Sequence, residues 1–209
     1  MVILSSFRPF GQDPLWDKHQ MLAFRSWMMC ASRVYLFGDI EPSLRSNKVS
    51  FIPCEQFPHI RDMAHFAGQQ RGRIVMICNG DIVVDPRIMK VEMKLKLSHS
   101  LCASSRRWHF DAELPLGKAM ETASLSDAQG RDDRGRDLFM ARAEVWARIA
   151  REMPVKYRIG HGQWDAAVTD LFRLHWTDKF FDFTALRLVF HPHHDGRRRP
   201  YDVEIANTP

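Results

Sequence analysis

No apolar run in the 209-residue chain approaches the roughly 20 residues that a membrane-spanning helix requires. The opening "MVILSSFRPF" has no basic leader before its short apolar run, so it reads as a first strand and not as a signal peptide. The expectation is a soluble, cytoplasmic protein without a membrane span. Cysteine is scarce: Cys30, Cys54, Cys78 and Cys102 form no CxxC pair, which argues against a zinc framework. They are evenly spaced, but their surroundings do not align, so they mark no repeat and are expected as reduced, mostly buried thiols. Low-complexity segments and domain linkers are also missing. With 45% hydrophobic and 26% charged residues, wholesale disorder is excluded, and the length suits one domain.

Positive charge is in excess, 30 basic against 25 acidic residues, a formal +5. That balance favours acidic partners such as nucleotides, phosphosugars or nucleic acid. Part of it lies in "GRRRP" at 196–200, which reads as solvated tail. The expected organisation is a single domain over 1–195 followed by a basic tail over 196–209.

Hydrophobic patterning predicts alternating strands and helices. Residues 1–5 form a strand, and 13–32 a helix with Asp13 as cap, Pro14 in the first turn and Trp16, Ala23, Phe24, Trp27 and Ala31 on one face. Strands follow over 33–39 and within 50–58, a helix over 59–70, and a strand over 73–81. The stretch after Pro86 alternates like a strand but begins like a helix. The helix is favoured, because a crossover is needed before the next strand at 101–110. Residues 111–136 are expected as a long loop, 137–153 and 164–176 as amphipathic helices, and the alternating 180–192 as a last strand. This order indicates a parallel α/β sheet, in which ligands bind beyond the carboxyl ends of the strands.

The stretch "IVMICNGDIVVDP" (74–86) is the most informative. Asn79-Gly80 is a strong two-residue hairpin signal. Alternatively, the polar residues mark a ligand site at the end of a buried strand. The polar groups after the other apolar runs support the second reading: Ser5, Ser6 and Arg8; Asp39; Arg106 and Arg107.

With those strand ends in place, the chain resembles nucleotide-sugar glycosyltransferases of the GT-A fold. "NGDIVVDP" is similar to their DxD-type motif, with Asn79 in the first aspartate position and Asp81 in the last. "SSFRPF", "LFGD", "SSRRW", "RGRDLFMARAEVW", "IGHGQWD" and "FHPHH" follow the order of small family members across residues 2–194. The resemblance implies an α/β, GT-A-like (Rossmann-like), mostly parallel twisted sheet flanked by helices. It also implies metal-dependent transfer of a sugar from a nucleoside-diphosphate sugar to an acceptor that the sequence does not identify; the basic charge permits a polyanionic one, such as nucleic acid.

A divalent cation, Mn²⁺ or Mg²⁺, neutralises a diphosphate leaving group and takes oxygen ligands, with imidazole tolerated by Mn²⁺. The resemblance assigns the cation to Asp81, His191 and His193. It places Ser5, Ser6 and Arg8 against base and diphosphate, Asp39 on the nucleoside, Asn79 and Gly80 against ribose or phosphates, and Arg106 and Arg107 as a second phosphate clamp. Asp165 takes the acceptor-facing position of a general base, and Asp137 that of a sugar or acceptor contact. Asp85 is expected to cap the following helix. Two other classes compete. A sugar nucleotidyltransferase usually carries a glycine-rich loop after the first strand, whereas "SSFRPFGQDP" has one glycine. A non-catalytic nucleic-acid-binding α/β protein finds no recognised motif in the chain.

Overall fold

The computed structural model describes residues 1–54, 57–125, 136–161 and 163–192. The expected tail, and with it His193, lies outside them. Four parallel strands form one half of the main sheet: β1 (Val2–Ser6), β2 (Arg33–Phe37), β3 (Val49–Ile52) and β4 (Ile74–Cys78). Two helices lie between them in sequence, α1 (Pro14–Cys30) and α2 (Ile60–Gly68). Asp13 caps α1 by accepting from the Leu15 N–H at 3.0 Å, and Pro14 occupies the first turn, as the sequence predicts.

After β4 the chain forms β5 (Val83–Val84), a short 3₁₀ turn and α3 (Met89–Leu97), so the helical reading after Pro86 holds. Asp85 caps that turn, accepting from the Arg87 N–H at 2.8 Å. The expected strand at 101–110 is two strands, β6 (Cys102–Ser105) and β7 (Trp108–Phe110), in different sheets. They part at Arg106, whose N–H donates to Thr184 Oγ1 at 2.8 Å. The expected loop at 111–136 contains α4 (Leu116–Thr122) and β8 (Ser124–Leu125); its residues 126–135 lie outside the described ones.

A larger correction concerns 137–153. Its first part is a strand, β9 (Leu138–Arg142), and α5 begins only at Ala143, ending at Glu152. β9 lies antiparallel between β4 and β6 with Leu138 through Ala141 buried, so its sequence shows no alternation and runs into the helical pattern behind it. The helix α6 (Trp164–Trp176) matches its expected span. The final alternating stretch is again two strands, β10 (Phe180–Asp182) and β11 (Val189–Pro192).

The main sheet has seven strands in the order β10-β6-β9-β4-β1-β2-β3, with β9 alone reversed. A second sheet, β5-β11-β7-β8, flanks it. Alternation along β1 divides the core: Ile3 faces α1 and α3, whereas Val2 and Leu4 face α2, α5 and α6. The helices α2 and α5 approach closely enough that a Cβ on Gly68 would sit 2.9 Å from Ala147 Cα. Among the described residues, no helix is long and apolar enough to cross a membrane.

The loop after β4 is fastened to α1. Trp27 Nε1 donates to the Ile82 carbonyl at 2.8 Å, and the Val84 N–H donates to Ser26 Oγ at 3.0 Å. Trp27→Phe would leave the buried Ile82 carbonyl unpaired, and a loss of about 1–3 kcal/mol is expected in urea unfolding. The exposed Met29→Ala on the same helix should stay within about 0.5 kcal/mol of wild type.

Candidate active site

β5 pairs with β11 and not with β4, so Asn79-Gly80 is a strand-end loop and not a hairpin turn. The loop sits at the carboxyl edge of the main sheet, beside the ends of β1 and β6. β9 runs in reverse, so its start brings Asp137 to the same edge; the Asn79 N–H donates to the Asp137 carbonyl at 3.0 Å. The first turn of α6 adds Asp165. A cavity of about 330 Å³ opens there, and nine of the expected residues line it: Ser6, Arg8, Asn79, Gly80, Asp81, Arg107, Asp137, Asp165 and His191.

Gly80 is required by close approach. A Cβ there would lie 2.5 Å from the Ser6 carbonyl oxygen and 2.8 Å from the Phe7 ring. Next to it, the buried Asp81 carboxylate faces His191, with Nε2 to Oδ2 at 3.1 Å. The His191 ring packs edge-on against His109 at 5.0 Å between centroids, and His109 Nε2 accepts from Arg107 Nε at 3.3 Å. The Arg107 guanidinium also pairs with Asp137, whose Oδ1 accepts from Asn79 Nδ2 at 2.8 Å. A continuous polar chain thus runs from Asp81 to Asn79 through two imidazoles, one guanidinium and Asp137.

Burial lowers the Arg107 pKa, and the fields of Asp81 and Asp165 oppose that effect. Its intrinsic basicity keeps it charged, so one cation balances carboxylates on three elements. Asp165 is the second residue of α6 and not its cap; Gln163 precedes the helix without a side-chain capping bond. Burial raises the Asp165 carboxyl above the usual carboxylate range. Backbone N–H donors, from Ala166 first, and the nearby Arg107 only partly reverse this. A carboxyl whose pKa is raised is the stronger base once ionised, which suits it to accept a proton.

A second cavity, about 340 Å³, adjoins the first and shares Ser6, Arg8 and Phe57 with it. Its walls include Phe7, Phe10, Phe37 and Phe51, and Asp39 lies at its rim after Gly38, whose φ of +132° suits glycine. Arg8, at the junction, is held on both sides: its N–H donates to Gln20 Oε1 at 2.6 Å, and Gln20 Nε2 donates to its carbonyl at 3.2 Å. The Arg8 guanidinium lies 4.0 Å above the Trp16 ring.

Two expected residues lie elsewhere. Ser5 is fully buried and donates to the Cys78 carbonyl at 2.7 Å, tying β1 to β4. Arg106 points away from Arg107, into a separate cleft, as neighbouring residues of extended chain do. Asp85 also lies outside the cavity, paired with Arg87. Sequence reasoning missed Trp16 and Gln20, one turn apart at the start of α1, and His161, whose ring packs against Phe57 in the cavity wall with centroids 4.5 Å apart and planes tilted by 56°. It also missed His19, which is 1% exposed, with neither ring nitrogen hydrogen-bonded. Burial lowers its pKa, against the pull of nearby Asp81. The only sequence signal was proximity of this helix to the first strand end.

For a metal, the described residues offer a pair and not a cage: no group of three His, Cys, Asp or Glu side chains converges there. One carboxylate and one imidazole fit a hard cation whose remaining ligands are phosphate oxygens and water, the usual manner for Mg²⁺ or Mn²⁺ at nucleotides. Asn79 adds no charge; its Nδ2 is committed to Asp137, whereas its buried Oδ1 has no hydrogen-bond partner.

No family model matches the chain, and no curated protein matches it. Solved structures share the fold. The glycosyltransferase GlyE of Streptococcus pneumoniae TIGR4 superposes with a TM-score of 0.51 at 11% identity, covering 99% of this chain and 60% of that one. A Bacillus anthracis protein assigned as a glucose-1-phosphate thymidylyltransferase, in complex with a sucrose, gives 0.50 at 10% identity, covering 88% of this chain and 86% of that one. The fold is therefore the GT-A-like α/β architecture that both structures have, with a seven-stranded sheet flanked by helices in a single domain.

Proposed function

We propose that the protein is a glycosyltransferase that moves a sugar from a nucleoside-diphosphate sugar to an acceptor hydroxyl. The observation that carries this reading is the junction of two cavities at Ser6 and Arg8, one aromatic and one polar. The aromatic cavity with Asp39 suits a nucleoside, and Arg8 at the junction suits its diphosphate. The sugar then lies in the polar cavity between the Asn79–Asp137–Arg107 chain and Asp165. A divalent cation held by Asp81 and His191, with His193 as the further ligand implied by the family resemblance, would neutralise charge on the departing diphosphate. Asp165 takes the proton of the acceptor hydroxyl as its oxygen bonds to the anomeric carbon and the bond from that carbon to the diphosphate breaks.

Thermal unfolding with UDP-, GDP- and dTDP-sugars, with and without Mn²⁺, tests the reading. One donor should stabilise the protein in a Mn²⁺-dependent way, by about 2.7 kcal/mol at a hundred times its Kd. Asp81→Ala should remove the Mn²⁺-dependent part; its persistence would remove Asp81 as ligand. A nucleotidyltransferase is the second reading, since the thymidylyltransferase superposes about as well as the glycosyltransferase. It predicts instead that a nucleoside triphosphate and a sugar phosphate are consumed with release of pyrophosphate. No response to any nucleotide would overturn both.

A further inference from the structure

On the other side of the chain that bears Arg107 and Asp137 lies a separate cleft lined by Arg106, Arg136, Arg173 and Arg187, with Trp108 and Asp182. Alternation creates it. Arg106 and Arg136 are the sequence neighbours of Arg107 and Asp137, and their side chains leave the backbone in the opposite direction. Four guanidinium groups share the cleft with one carboxylate, which is already engaged: Asp182 pairs with Arg136 and accepts from the Thr184 N–H at 2.9 Å.

Two further features set the cleft apart from an ordinary basic surface. Arg136 is only 2% exposed. Its Nη1 donates to Ser104 Oγ at 2.8 Å, but its buried Nε has no hydrogen-bond partner. A buried guanidinium with an unmet donor is costly unless a ligand completes it. Arg187 has left-handed backbone, φ +50°, a conformation that is strained for a non-glycine residue. It is fixed there by Nη2 bonds to the carbonyls of Met120, Glu121 and Ala123, at 2.9–3.3 Å, with its guanidinium 4.3 Å above the Trp108 ring. The chain thus accepts local strain where it holds a cation over an aromatic ring at the cleft wall.

We propose that this cleft is an anion site that binds a phosphate group, independent of the donor cavity. Arg106 and Arg173 line the cleft beside Arg136 and Arg187, which are fixed by their hydrogen bonds. The geometry suits phosphate because planar guanidinium forks meet its oxygens in pairs. The inference does not rest on the transferase reading: the two sites share backbone but no side chain.

The test is titration of the full chain with inorganic phosphate at low ionic strength, followed by calorimetry and tryptophan fluorescence. Arg106→Ser with Arg173→Ser should weaken phosphate binding about tenfold or more, whereas Arg107→Ser, in the donor cavity, should change it less than about twofold. The fluorescence response should vanish in Trp108→Phe, since Trp108 lies in the cleft. Arg173→Ser alone, at an exposed helical position, keeps the test valid if the double variant fails to fold; it should weaken binding at least about threefold. Phosphate binding that is lost in Arg107→Ser and kept in the Arg106/Arg173 variant would overturn the proposal. So would no binding by wild type at millimolar phosphate.

Discussion

Asp165→Asn is expected to lower the rate of sugar transfer by about 10²–10⁴-fold while leaving donor binding within about twofold. The amide keeps the shape of the side chain and its place in the first turn of α6, but it has no lone pair basic enough to take the acceptor proton. The pH dependence follows from the same burial. Asp165 must be ionised to act, and burial raises its pKa, so wild-type activity should fall on the acid side at a higher pH than an ordinary carboxylate would dictate. Stability moves the other way. The folded protein binds this proton more readily than the unfolded chain, so the contribution of Asp165 is lost as pH rises from the usual carboxylate pKa through the raised one. Asp165→Asn, permanently neutral, should therefore be the more stable protein at pH 7 and the less active one. A steady-state assay paired with thermal unfolding at pH 5 and pH 7 checks both signs. Retained turnover would remove Asp165 as the base.

Gly80→Ala is the second large effect, and it acts through backbone. The added methyl would meet the Ser6 carbonyl at 2.5 Å, a contact that requires one of the two strand ends to move. The other neighbour, Phe7, offers little relief, because its ring is stacked on Trp27 at 5.4 Å with the planes 11° apart. Trp27 in turn holds the Ile82 carbonyl. The substitution should cost about 1–3 kcal/mol as overpacking. It should also shift Asp81 relative to Ser6 and Arg8, and a displacement of about 1 Å in such a site costs about 10²-fold in rate. Equal stability and activity in Gly80→Ala would show that the two strand ends are not fixed against each other. Adding the methyl to Gly117, where no atom lies within 4 Å, is the matched control and should be nearly silent in activity.

Where sequence and structure diverge, one physical cause recurs. Period and apolarity report which residues are buried, not what buries them. The stretch 137–142 is covered on both faces, so it carries no alternation, and Phe139 falls at helical spacing from Trp146 although it belongs to a strand. The runs 101–110 and 180–192 each read as one strand in the sequence, yet each crosses from the main sheet to the second one. The crossing leaves no mark in the pattern, because Cys102–Ser105 in the main sheet and Val189–Pro192 in the second are buried at every position.

The local chemistry at the strand ends was determined by the sequence alone. Asp13 and Pro14 start α1, an apolar strand delivers Asn79-Gly80-Asp81, and Asp165 opens α6, because caps, turns and strand ends depend on a few adjacent residues. Only the tertiary structure decided which of these polar groups meet. It reversed β9 so that Asp137 reaches Asn79, and it brought His191 across the second sheet to Asp81. It also sent Arg106 and Arg107 to opposite sides of one backbone. The two pairings join residues 58 and 110 positions apart, and they follow from how the two sheets and the helices cover each other's apolar faces. No short stretch of the chain contains that information.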